Sequence, residues 1–303
     1  MLENKIMLEV TPPARRTSAE YLSKVTTNIS ELIDQVNCVD FINIPEIIEE
    51  NRTGMPLYKN LDPRIFGSIL YEKTRKEIIV NKVTVHLKSL TDLNSWLKDA
   101  IGIYKLRHLV FVGGNSSAIS YNGPGVIDAN SLAKNLGFIV GNIAIPDRKN
   151  EFEKLIVKTS NNCSFFTTQI ILQTEKIKQT LKIYDFLCKS LRIKPAVFFL
   201  SFAPVYDEQD LYLLKWLGAH VPEAIESRLR NSSNIGYASI ELAKELFSDI
   251  VSFVLENNIS VPISLNVESV SYHNLPLVKE IIMQGKEVLE RLNKNQSKPL
   301  QSF

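Results

Sequence analysis

HLVFVGGNSSAISYNGPGVIDANSLAKNLGFIVGNIAI, residues 108–145, is the stretch from which the fold can be read. It opens with an apolar run of strand length, passes through a loop rich in Gly and Ser, and turns amphipathic near Asp128. A second apolar run, FIVGNIAI, follows and stops at Pro146, which has no N–H to offer a ladder. Two strand-like runs separated by a helical one predict a parallel pair joined by a crossover helix.

The same unit recurs in both directions. Upstream stand IMLEV, a helix over Ser18 to Val36, VDFINI, and a helix entered through Asp62-Pro63, an N-cap with proline at the first helical position. VTVHL then predicts the third strand, before a helix opened by Thr91 and Asp92. Downstream come a helix from about Asn150 to Ser160, the sixth strand SFFTTQIIL, a helix over Thr174 to Leu191, and AVFFLSF halted by Pro204. Helices over Glu208 to Leu217, Pro222 to Arg230 and Gly236 to Asn257 lead to the eighth strand, VPISLNV, and a last helix from Pro276 to Leu292. Eight strands alternating with helices, several of them almost continuously apolar, predict an α/β protein with a single (β/α)8 TIM barrel. We expect one domain over residues 1–303, with a polar tail from about 293.

Composition fits that size and narrows the function. The 303 residues are 45% hydrophobic, enough for one large core. With 35 Lys+Arg against 33 Asp+Glu, no broad positive field exists to hold phosphate backbones, so nucleic acid is not an expected partner. Cys38, Cys163 and Cys188 are odd in number, lack metal-like spacing and sit in apolar surroundings, which predicts structural thiols. The first residues, MLENKIMLEV, show no basic segment followed by an apolar one, and the longest apolar run, Ala196 to Val205, is far below the ~20 residues of a membrane span. The expectation is a cytoplasmic protein with no membrane partner. Oligomeric state is not legible, and a homo-oligomer or a complex subunit both remain open.

In a barrel of this kind the working face is built from the C-terminal ends of the strands. Glu9, Asn43, His86, Asn115, Gln169 and Asn266 fall there on the boundaries above. For a lone His86 or Asn43, a side chain bonded to barrel backbone or water is the commoner reading. Glu9 differs, because Leu8 and Val10 flank it and Pro12-Pro13 fix the following backbone. A carboxyl desolvated in that way is expected to hold a proton near neutral pH. Gly113-Gly114 does not extend to GxGxxG, the four histidines are scattered singly, and no GxSxG or P-loop occurs.

LEVTPPARRTSAEYL, with its acidic residue ahead of a proline pair, resembles the opening strand of the methylenetetrahydrofolate reductase family. In order after it, VTVHLKSL resembles that family's His-Leu at strand three, and LRHLVFVGGN its strand-four segment. KTSNNCSFFTTQIIL resembles the run leading to its Thr-Gln motif, FFLSFAPV its strand-seven motif, and LGAHVPEAIESRL the helix that follows. The resemblance covers about Glu9 to Val278. It implies reduction of a methylene bridge on a tetrahydropterin substrate to a methyl group, with hydride from NAD(P)H.

The resemblance makes Glu9 the acid that protonates the departing nitrogen and puts Gln169 at the substrate, where Asn43 and Asn266 are also expected from their places at strand ends. It offers His86, Gly114, Asn115, Ala129 and Lys158 as cofactor positions. Binding of FAD stays open. Relatives carry Arg and Asp at the strand-four end, where this chain has Gly113 and Asn115, and a neutral Gly cannot replace a bidentate Arg on a diphosphate. Asp128, Ile145 and the loop Asp147-Arg148-Lys149 stand where relatives place aromatic and His side chains, and Val267 stands where they have Arg. Arg148-Lys149 reads either as a contact for an acidic substrate tail or as a solvated turn. Two other readings remain open: an FAD-containing enzyme of the same type, and a barrel that binds pterin or a partner without catalysis.

Overall fold

A computed structural model of the chain describes residues 2–51, 53–114 and 119–296. Eight parallel strands close into a barrel: β1 (Ile6–Val10), β2 (Phe41–Ile44), β5 (Glu77–Val83), β6 (His108–Val112), β7 (Ile139–Ala144), β8 (Phe165–Thr168), β9 (Val197–Phe202) and β10 (Ile263–Ser269). Around the ring they run β1-β10-β9-β8-β7-β6-β5-β2. The remaining two strands, β3 (Glu49–Glu50) and β4 (Pro56–Leu57), form a small antiparallel hairpin on the β2–α2 connection. The expected TIM barrel is therefore what the chain forms. By contact density it divides into two compact units, one of Leu8–Ile143 with Val157–Phe166, the other of Met1–Met7, Ala144–Ile156 and Thr167–Phe303.

In the first unit the helix boundaries follow their capping residues. Ser18 Oγ accepts the Tyr21 N–H at 3.1 Å to open α1 (Ala19–Val36), which stops at Asn37 in the left-handed region. Asp62 Oδ1 accepts the Arg64 N–H at 2.8 Å, and Pro63 takes the first position of α2 (Pro63–Thr74). Gly67 lets α2 lie close on the sheet, since a Cβ there would come within 2.8 Å of Ile78. α3 (Leu90–Gly102) is capped by Ser89, and α4 (Val126–Asn135) crosses from β6 to β7. Gly141 on β7 serves a close approach inside the barrel, because its missing Cβ would sit 2.4 Å from the buried Phe165 ring.

The third strand departs from the expectation. VTVHL was the predicted strand, but the strand runs from Glu77 to Val83, and Thr84–His86 forms a short 3₁₀ turn after it. Three β-branched residues at 83–85 favour extended backbone. Glu46 nevertheless takes the Val83 N–H at 2.8 Å, and the Leu87 N–H turns back to the Thr84 carbonyl at 3.0 Å.

In the second unit, α5 (Glu151–Ser160) begins and α6 (Glu175–Leu191), α7 (Glu208–Trp216), α8 (Glu223–Arg230), α9 (Ile235–Glu256) and α10 (Leu275–Gln296) complete the helices. Residues of α7, α8 and α9 close over Ile170, Leu172, Ala203 and Val205 to make an apolar cluster beyond the ends of β8 and β9. β9 and β10 pair in register from Ile263–Phe198 to Val267–Phe202. α10 continues as helix past Asn293, where a polar tail was expected, as far as Gln296. Among the described residues no helix is long and apolar enough to cross a membrane, and no group of three or more His, Cys, Asp or Glu is placed to hold a metal ion.

Candidate functional site

Glu9 and Asn43 meet where the barrel closes. They stand on β1 and β2, neighbouring strands, and the Asn43 amide donates to Glu9 Oε2 at 2.5 Å. Glu9 is half-buried and Asn43 fully buried. The Asn43 amide thus helps to fix the orientation of the Glu9 carboxyl. Asn43 Oδ1 is buried and has no hydrogen-bond partner.

The register of β2 on β5 sets Asn43 beside Ile79, so Asn81, two residues further, projects from the same face. Asn81 is also buried, and its Oδ1 likewise has no hydrogen-bond partner. A buried carbonyl oxygen left unpaired costs about 1–3 kcal/mol, so two of them on one face mark it as rich in acceptors. Asn81 was not singled out from the sequence. The available signal was a polar residue interrupting the apolar run of EIIVNKV.

The other two expected substrate residues belong to the second unit. Gln169 follows β8, and its amide Nε2 donates to the Leu217 carbonyl at 2.8 Å. That carbonyl is presented by the turn at Gly218, whose φ of +88° favours glycine and whose Cβ would crowd Gln169 Nε2 at 3.2 Å. Asn266, buried on β10, donates to Ser201 Oγ at 2.9 Å, its register neighbour on β9, and lies 3.4 Å from Glu268 Oε1.

The positions offered for a cofactor are engaged by the chain itself. His86 Nε2 lies 2.9 Å from Glu50 Oε1, and the Tyr121 hydroxyl donates to Glu50 Oε2 at 2.7 Å. The His86 and Glu50 side chains are 2% and 9% exposed. The Tyr121 ring covers Gly114, where a Cβ would fall 2.2 Å from it. The hairpin β3–β4 brings Glu50 to this place, and neither the hairpin nor Glu50 was expected from the sequence. Its turn signal, Asn51 with Gly54, is short. Asn51 Oδ1 accepts the Thr53 and Met55 N–H groups at 2.9 Å each, and Gly54 has φ +80°. Lys158 donates to the Ile143 carbonyl at 2.6 Å, near the end of β7, and Ala129 is buried within α4. Asn115 lies outside the described residues.

The titratable groups elsewhere fit structural roles. Burial pushes the Cys163 thiol up to about 12, and burial also raises Cys188, as expected for inert thiols. Burial lowers His108, which packs edge-on against Phe41 with centroids 5.4 Å apart. In the second unit, Arg148 lies 3.5 Å from Glu151, whose other oxygen accepts the Ile145 N–H. The loop is therefore braced as a turn.

No family model matches the chain, and no curated protein matches its sequence. In structure it is similar to a protein of Clostridium thermocellum described as binding two copies of 5-methyl-5,6,7,8-tetrahydrofolic acid. The TM-score is 0.79 at 22% identity, covering 94% of this chain and 96% of that one. At that identity the likeness establishes the shared barrel, and a barrel of this kind carries many chemistries.

Proposed function

We propose that this chain binds a tetrahydropterin and reduces a methylene bridge on it to a methyl group, with hydride from NAD(P)H and without a resident flavin. The observation that carries the reading is the Glu9–Asn43 pair at the ends of adjacent strands. An enzyme opening a methylene bridge needs an acid aimed at the departing nitrogen, and Asn43 fixes the orientation of that acid. A pterin edge bears N–H donors, which suit the unpartnered carbonyl oxygens of Asn43 and Asn81. The similarity to a protein that binds methyltetrahydrofolic acid supports the ligand class.

The chemistry balances with two substrates. Glu9 delivers a proton to the departing nitrogen as its bond to the bridging carbon breaks. The dihydronicotinamide then gives hydride to that carbon, leaving a methyl group and the oxidised nicotinamide. A proton from solvent restores Glu9.

A flavin does not suit the residues offered for it. A diphosphate requires cations or free donors, whereas His86 is already bound to the Glu50 carboxylate and Tyr121 lies over Gly114. A carboxylate 9% exposed at that place repels phosphate. A second reading, binding without turnover, is favoured by the methyl form of the ligand in the similar protein.

Titration calorimetry with 5-methyltetrahydrofolate, followed by an NADH and NADPH oxidation assay with the methylene form, tests the proposal. Binding with turnover in protein lacking a flavin absorbance supports it. Binding with no turnover under either nucleotide selects the second reading, and no binding rejects both.

A further inference from the structure

An open cavity of about 240 Å³ lies against the β2–α2 connection, with Arg15, Lys82, Arg64 and Trp96 among its lining residues. Two ion pairs form its walls. Lys82 Nζ donates to both oxygens of Glu46 at 2.7 and 3.0 Å, and Arg64 forks onto Asp62 through Nε at 3.1 Å and Nη2 at 2.8 Å. The Arg64 guanidinium is held between the rings of Trp96 and Tyr104, 4.9 Å from each centroid.

The donor count here exceeds the acceptor count. Both oxygens of Glu46 and both of Asp62 already accept hydrogen bonds, including the Val83 and Arg64 N–H groups. On the donor side, Arg64 Nη1 is buried with no hydrogen-bond partner. Arg15 is exposed, and among the described residues no carboxylate pairs with it. Three cations face two carboxylates, and the positive end of α2 begins at Asp62-Pro63. Such a lining calls for an acceptor-rich, negatively charged guest.

The chain ties the cavity wall to the acid pair. Glu46 is three residues beyond Asn43, a reach of at most ~11 Å of extended chain. We propose that this cavity receives the carboxylate-bearing tail of the pterin substrate, with Arg15 at its mouth and Arg64 and Lys82 deeper in. The inference rests on the tetrahydropterin reading and names which part of that ligand the β2–α2 connection recognises. It transfers the tail-binding role considered for Arg148-Lys149 to a different set of cations.

Isothermal titration of the full chain with tetrahydrofolate and with tetrahydropteroate, which lacks the glutamate, tests it. The wild type is expected to prefer the glutamate-bearing form by about tenfold, the scale of one charge-assisted hydrogen bond. Arg15→Ala, at an exposed position, should cut that ratio by at least about threefold, and Arg64→Met should cut it further. Equal affinities in the wild type, or an unchanged ratio in Arg15→Ala, would overturn the assignment while leaving pterin binding intact. Free glutamate that binds without competing against tetrahydrofolate would also overturn it. Failure of both pterins to bind would sink the tetrahydropterin reading itself.

Discussion

Replacing Glu46 by Gln isolates the energetics of the ion pair beneath the β2–α2 connection. The Glu46 and Lys82 side chains are 11% and 6% exposed, so neither charge is well hydrated. Glu46 accepts two hydrogen bonds from Lys82 and one from the Val83 N–H. Glu46→Gln keeps an acceptor for Val83 but leaves the Lys82 ammonium buried against an amide. Breaking one partner of a buried pair costs about 3–5 kcal/mol, because the surviving charge is uncompensated. At roughly 2–4 °C per kcal/mol, the thermal midpoint should fall by on the order of 10 °C. The double variant Glu46→Gln with Lys82→Met removes both charges and retains the acceptor, so it should recover most of the loss. Circular dichroism melts of the wild type, both single variants and the double variant complete the cycle. If the double variant melts no higher than Glu46→Gln, the loss does not arise from an unpaired charge and the reasoning fails.

Three further outcomes follow from packing and titration. Gly141→Ala places a methyl group 2.4 Å from Phe165, and overpacking of a closed core should destabilise by about 1–3 kcal/mol, read as a lower urea midpoint. His108 has its pKa lowered by burial, so below pH ~6.5 the unfolded chain binds more protons than the folded one and stability falls as pH drops. His108→Gln should flatten this part of the stability profile between neutral and mildly acidic pH, and an unchanged slope would count against the assignment. Cys163, with its thiol raised to about 12, should stay unmodified by iodoacetamide at pH ~8 in the folded protein and react only after denaturation.

The barrel was legible because each crossover pairs an apolar run with an amphipathic one, and caps such as Ser18 and Asp62 announce the helices. The third strand was misplaced because a side chain 37 residues upstream, Glu46, intercepts the Val83 N–H at a segment whose local propensity is extended. Local periodicity carries no information about such a long-range bond. The same limit hid the hairpin β3–β4, two residues to a strand, and the meeting of Glu50 with His86 and Tyr121. Glu9 could be found by its place on the first strand, whereas its contact with Asn43 needed the closure of the ring. Asn81, Lys82 and Arg64 left only the weaker trace of polar residues in or beside apolar stretches.

In the proposed reaction the carboxyl of Glu9 supplies the proton that opens a bound methylene bridge. Glu9→Gln keeps the shape of the side chain and an acceptor for Asn43, while removing the acid. Steady-state oxidation of NADH or NADPH with methylenetetrahydrofolate, compared between wild type and Glu9→Gln, measures the effect directly. Glu9→Gln is expected to lose about 10²–10⁴-fold in kcat, with affinity for 5-methyltetrahydrofolate changed far less. Equal turnover in the two proteins would contradict it.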